Sequence, residues 1–94
     1  METVELFYLE SCPYCRSARR ALEELCREDP GFAAVPIRWI EESREPEIAE
    51  QRDYYYVPTL FCRGKKLYEA APGESYGEIR EHLRTALNAV RARE

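Results

Sequence analysis

An α/β architecture of order βαβαββα, a four-stranded mixed sheet flanked by three helices in one domain over residues 1–94, is what this sequence predicts. Three observations carry that expectation. A short apolar segment ends just before Cys12-Pro13, a pair suited to opening a helix, and a second apolar strand follows that helix. Two further apolar segments flank Arg63-Gly64-Lys65, a turn signal. A long amphipathic stretch closes the chain. A strand–helix–strand start implies a parallel pair with a right-handed crossover, and the later hairpin adds antiparallel strands.

Val4 to Leu9 is aromatic-rich and apolar on both alternating faces, as suits a central strand covered on both sides. Pro13 then sits at the first helical position, where its fixed φ is favoured. Ala18, Ala21, Leu22, Leu25 and Cys26 recur at helical spacing, so this helix is amphipathic to about Arg27, and Asp29-Pro30-Gly31 stops it. Ala34 to Ile40 reads as the second strand, with Val35, Ile37 and Trp39 on one face. Pro36 cannot donate to a ladder and places that strand at an edge. Residues 43–52 hold a short helix with Ile48 and Ala49 inward. Thr59 to Cys62 and Lys66 to Ala70 form the hairpin. Ser75 followed by Glu78 is a capping-box signature, and Ile79, Leu83, Leu87 and Val90 continue at helical spacing.

Composition narrows the function classes. A chain of 94 residues has room for one core and no second domain, and no apolar run is long enough to span a bilayer. Net charge is −4 and the basic residues alternate with acidic ones, so neither nucleic acid nor membrane is an expected partner. The start, Met1-Glu2-Thr3-Val4-Glu5, lacks the basic and apolar segments of a secretory signal. Of four cysteines only Cys12 and Cys15 are close together, a pattern that fits a reducing, cytoplasmic setting with one reactive pair better than a disulfide framework.

Two cysteines three apart at a helix start can close a disulfide. Cys12 at the N-cap faces unpaired backbone N–H groups and the positive end of the helix dipole, which favour a thiolate. Arg16 adds to that effect and Glu10 opposes it. Cys15, one turn deeper, is shielded. Cys12 is therefore the expected attacking sulfur and Cys15 the resolving one, in a cycle that passes through a mixed disulfide. Half of a zinc site has the same Cys-x-x-Cys spacing, but the chain has no second close ligand pair.

At these residues the chain resembles the thioredoxin superfamily over nearly its whole length. Cys12-Pro13-Tyr14-Cys15 is similar to the glutaredoxin active site, and Val57-Pro58 to its cis-proline loop. The resemblance implies a thioredoxin-like fold and a cis Pro58. It also implies that the Val57 backbone pairs with an extended substrate, which tolerates many side chains. Leu9 stands where glutathione-holding glutaredoxins usually carry a basic residue. Tyr54, Tyr55 and Tyr56 stand where they often carry a basic or amide residue, and the later Gly-Gly-acidic motif is replaced around Tyr68 and Glu69. Pro58-Thr59-Leu60 and Gly73 are more like thioredoxin or the small archaeal redoxins.

The resulting expectation is a dithiol thiol-disulfide oxidoreductase, monomeric, with Cys12 and Cys15 catalytic and Pro13, Tyr14, Tyr56, Val57 and Pro58 touching substrate. Substrates would be disulfide-bearing proteins or glutathione mixed disulfides. No tightly bound cofactor is expected; electrons would come from glutathione as co-substrate or from a thioredoxin reductase-like donor. The alternative class is an iron–sulfur or metal carrier using the same cysteines. Tyr14 is expected to be exposed, Cys26 and Cys62 to be structural apolar filler, and His82 to lie on the surface.

Overall fold

The computed structural model describes residues 2–92. Met1, Arg93 and Glu94, which the single-domain expectation also covers, lie outside the described residues. The sheet has four strands, β1 (Val4–Tyr8), β2 (Ile37–Glu41), β3 (Thr59–Cys62) and β4 (Lys65–Glu69), in spatial order β2-β1-β3-β4. β1 is central, parallel to β2 with Val4 opposite Ile37, and antiparallel to β3 with Leu6 opposite Leu60. β2 takes the edge that Pro36 predicts; the Pro36 carbonyl still accepts from Val4 N at 2.9 Å.

Alternation along β1 divides the core. Val4 and Leu6 face a large apolar layer built with α1 (Pro13–Glu28) and α4 (Tyr76–Arg91). Ala18, Ala21, Leu22 and Leu25 from α1 meet Ile79, Leu83, Leu87 and Val90 from α4 there, all buried. Phe7 points the other way, into a small cluster with Ile40 and Phe61. That side is covered by one helical turn, α3 (Pro46–Ala49), and by Tyr54 and Val57.

The helix ends follow local chemistry. Ser75 accepts from Glu78 N while the Glu78 carboxylate accepts from Ser75 N at 2.9 Å, completing the capping box. The β3–β4 hairpin turns on Arg63 (φ 54°) and Gly64 (φ 76°), both in the left-handed region that a two-residue hairpin loop requires.

Several boundaries differ from the sequence reading. Asp29-Pro30-Gly31 does stop α1, but Pro30 also starts one further turn, α2 (Pro30–Ala33), with the Asp29 carboxylate accepting from Gly31 N at 2.8 Å. That turn absorbs Ala34 and Val35, whose N–H groups bond back to Pro30 and Phe32, so β2 starts at Ile37 and not at Ala34. α3 is four residues long instead of spanning 43–52. The Glu41 carboxylate ties the backbone and hydroxyl of Ser43 into a turn, and helix begins only at Pro46.

Candidate functional site

The N-cap of α1 carries Cys12, and Pro13 at N1 sets the helical φ, so the first turn projects toward the ends of β1 and β3. Cys12 is partly exposed, and Cys15, one turn in, is buried at 5 % exposure. Burial pushes the Cys15 thiol up to about 12; the neighbouring Cys12 sulfur and the Glu42 carboxylate push the same way, while a backbone hydrogen bond at Leu9 opposes them. Cys15 is therefore a neutral thiol at neutral pH.

The opposite wall of the site comes from the segment before β3. The Val57–Pro58 peptide is cis. The Cys12 thiol donates to the Val57 carbonyl at 3.6 Å across 45 residues of chain. Pro58 is buried and its carbonyl accepts from Ala70 N at 3.0 Å, and Thr59 Oγ1 donates to the Tyr56 carbonyl, so the loop is tied to both sides of the hairpin. The three tyrosines divide. Tyr54 is half-buried between Phe7 and Phe61, its hydroxyl donating to Glu42 at 2.5 Å, with burial and that carboxylate both raising its pKa. Tyr55 and Tyr56 are exposed, at 87 % and 52 %.

Of the residues singled out in the sequence, Cys12, Cys15, Val57 and Pro58 thus stand together, with Pro13 exposed at the rim and Tyr56 on the adjoining loop. Tyr14 departs from expectation. It is half-buried against the large apolar layer, and its hydroxyl accepts from Gly73 N at 2.8 Å, linking the motif to the loop that leads into α4. Cys62 is fully buried, as apolar filler would be, whereas Cys26 is only partly so. His82 is exposed, its ring paired with Glu74 at 2.7 Å.

Two carboxylates that no sequence motif singled out hold the loops around the cysteines. Glu69 Oε2 accepts from both Tyr55 N at 2.6 Å and Tyr56 N at 2.8 Å, while Oε1 pairs with Lys66 at 2.7 Å. Burial would raise the Glu69 pKa, but Lys66 and the two amides outweigh it and hold the carboxyl below its usual range. Glu74, whose side chain is only 6 % exposed, accepts from the Tyr68 hydroxyl at 2.6 Å and from Ala71 N at 2.9 Å. The hold of Glu69 on the two tyrosine amides leaves no local sequence signal, because it depends on how distant segments come into register, and Glu74 closes a local turn onto Ala71 and Tyr68 that matches no motif. No group of three or more His, Cys, Asp or Glu among the described residues is arranged to hold a metal ion. No helix among them is long and apolar enough to cross a membrane.

Comparison with known proteins agrees with this geometry. Residues 6–86 match the family model described as glutathione S-transferase, N-terminal domain. A thioredoxin of Methanocaldococcus jannaschii is 33 % identical over 69 residues, which is 73 % of this chain and 79 % of that protein. Among solved structures, thioredoxin 1 of Thermosipho africanus superposes with a TM-score of 0.59 at 16 % identity, covering 95 % of this chain and 98 % of that one. The Drosophila melanogaster thioredoxin Deadhead gives 0.60 at 19 % identity, covering 94 % and 78 %. With the strand order and the flanking helices already in place, these likenesses make the chain a small member of the thioredoxin superfamily.

Proposed function

We propose that this chain is a dithiol oxidoreductase of the reducing cytoplasm that reduces protein or glutathione mixed disulfides through Cys12 and Cys15. The observation that carries the reading is the placement of Cys12: its sulfur lies against the Val57 carbonyl beside cis Pro58, with Cys15 buried one turn behind it. Cys12, as thiolate, attacks one sulfur of the substrate disulfide, forming a mixed disulfide and expelling the first substrate thiolate. Cys15 then loses its proton and attacks Cys12 Sγ, forming the Cys12–Cys15 disulfide and releasing the second thiolate. Two electrons pass to the substrate, and two thiols of glutathione or of a reductase return them.

The raised pKa of Cys15 supports this order of events. Burial is its largest cause, but the hydrogen bond and charge of Cys12 also contribute, and both disappear once Cys12 is held in the mixed disulfide. Cys15 is thereby restrained as a thiol before substrate arrives and eased toward thiolate afterwards. Once the Cys12 sulfur has reacted it no longer donates to the Val57 carbonyl, and that carbonyl, with Tyr56 exposed beside it, becomes a main-chain group for an extended substrate to pair with. The likeness to a thioredoxin supports thiol chemistry at this pair, and the match to the glutathione S-transferase N-terminal domain favours glutathione as the donor.

The test is turnover of a small mixed disulfide in the presence of glutathione, glutathione reductase and NADPH, with Cys12→Ser as the blank. Turnover that disappears in the variant is expected. Its absence in the wild type would point to a reductase protein as donor, and reduction that survives Cys12→Ser would overturn the assignment of the attacking sulfur. Cys15→Ser is expected to accumulate the mixed disulfide on Cys12, seen as added mass in the intact protein.

A further inference from the structure

Three arginines follow closely on the cysteines of an acidic chain. Net charge is −4, yet the first turns of α1 carry Arg16, Arg19 and Arg20 beside the motif. The carboxylates nearby are already engaged. Glu10 pairs with Arg44 at 3.4 Å, Glu42 accepts from Tyr54, and Glu69 binds Lys66 and two amides. Glu24 accepts from the Tyr76 hydroxyl and lies 3.4 Å from Arg80. Arg16 differs: its guanidinium donates to the Ser11 carbonyl at 3.4 Å, and no carboxylate pairs with it among the described residues.

Arg16 also borders two depressions in the surface. On one side a groove of about 400 Å³ runs past the exposed Pro13 and is lined by Arg16, Ser17, Arg20 and Tyr76. Arg20 lies over the Tyr76 ring at 5.1 Å, with Glu24 3.9 Å away as a weak counter-charge. On the other side a cleft of about 270 Å³ reaches Cys15 between Arg16 and Arg19, with Glu10 on its wall. An anionic group on a substrate whose disulfide has reached Cys12 would meet Arg16 first, with Arg20 as its second partner. A guanidinium suits a carboxylate in this setting because two parallel N–H donors match its two oxygens.

We infer that Arg16 and Arg20 form a subsite that selects disulfides flanked by a carboxylate, so that substrates with an acidic residue beside the reacting cysteine are preferred. This deepens the proposed function and rests on it. Being exposed, each ion pair is worth at most about a fivefold change in rate constant, and it weakens as salt rises.

Single-turnover reduction of three peptides would test this, with pre-reduced protein as the sole electron source. The peptides contain one intramolecular disulfide and differ only in having Glu, Gln or Lys beside one cysteine. Wild type is expected to reduce the Glu peptide about fivefold faster than the Gln peptide and about 20-fold faster than the Lys peptide at low salt. In Arg16→Gln with Arg20→Gln these ratios should collapse toward one. Because any change in intrinsic Cys12 reactivity affects all three peptides equally, the ratios isolate recognition. Arg16→Lys should keep most of the preference, and Arg27→Gln, at the far end of α1, all of it. Unaltered ratios in the double variant, or no preference in wild type while the Gln peptide is reduced, would overturn the subsite and leave the oxidoreductase reading standing. Failure to reduce even the Gln peptide would overturn that reading, and the subsite with it.

Discussion

The two faces of the sheet are built to different thicknesses, and the site lies where they meet. On one face, α1 and α4 each contribute a stripe of buried side chains, and the layer they form with Val4, Leu6 and Leu60 is the bulk of the core. On the other, Phe7, Ile40 and Phe61 are covered by one helical turn and by Tyr54 and Val57, none of these covers fully buried. Cys12 and Cys15 belong to the thick side, through α1, and Val57 and the tyrosines to the thin side. The proposed redox pair would gain from this arrangement, because Cys12 and its buried partner Cys15 are fixed on a well-packed helix. The wall proposed to receive substrate is tied by hydrogen bonds that Glu69 accepts from Tyr55 N and Tyr56 N and that Glu42 accepts from the Tyr54 hydroxyl, which can yield more easily than a packed core.

The comparison breaks most directly at the core. Leu83→Ala, fully buried between α4 and α1, is expected to lower the free energy of unfolding by about 2–5 kcal/mol in urea denaturation. Ile48→Ala on the partly exposed α3 should cost about 1 kcal/mol. Similar losses at the two positions would mean that the thin face carries as much of the stability as the thick one.

The cysteines give the next largest contrast. At pH 8 iodoacetamide should modify Cys12 of the reduced protein at least about 100-fold faster than Cys15, which is both buried and protonated. Labelling of Cys15 should keep rising with pH toward about 12 instead of levelling near 9.0, its ordinary value. The sign for stability follows. The folded state keeps a proton that the unfolded state loses above 9.0, so the contribution of Cys15 is complete below that pH and is lost as pH rises toward about 12. Cys15→Ser should flatten the decline of stability across that window. Equal labelling of both sulfurs at pH 8, read by peptide mass mapping, would remove the distinction between attacking and resolving roles.

Legibility in the sequence followed the range of the interactions. Pro13, the Ser75–Glu78 box and the Arg63-Gly64 turn act within four residues, and the elements they start or join were readable: β3 matches residue for residue, and α1 and α4 match closely. Central β1 and edge β2 were also readable, from two-sided apolarity and from Pro36. The misread boundaries come from residues with two local options. Pro30 can end one helix or begin another turn, and Ser43 looks like a helix start until the Glu41 carboxylate claims its amide. In the site, Cys12, Cys15 and Pro58 carry a motif, whereas the hold of Glu69 on the Tyr56 amide and the seat of Tyr14 on Gly73 arise from contacts between segments distant in sequence, and Glu74 accepts from Ala71 N in a local turn that matches no motif.

On the thin side, Glu69→Ala removes the acceptor for two loop amides. Amide exchange at Tyr55 and Tyr56 should accelerate about tenfold, corresponding to the roughly 1–1.5 kcal/mol of net hydrogen bonding at stake, while core amides of α1 keep their protection. Glu69→Gln retains a carbonyl oxygen for those amides and loses only the Lys66 pair, so it should restore most of the protection. If exchange accelerated equally in α1, the loop would not open independently of the thick layer.

Tyr14→Phe carries the smallest expected effect and tests whether the motif and the approach to α4 act as one unit. The substitution keeps the ring against the large apolar layer and removes only the oxygen that accepts from Gly73 N. Gly73 is exposed, so water can take up its amide, and the loss should stay near 0.5–1 kcal/mol. The loop keeps its other ties, since Glu74 still binds Ala71 N and the Tyr68 hydroxyl and the Ser75–Glu78 box still caps α4. Exchange at the Gly73 amide should therefore rise several-fold while exchange at Ile79 and Leu83 is unmoved. A loss well above 2 kcal/mol, or faster exchange along α4, would show that one phenol oxygen couples the cysteine motif to the closing helix; the thick side of the site would then share the looseness ascribed to the thin one.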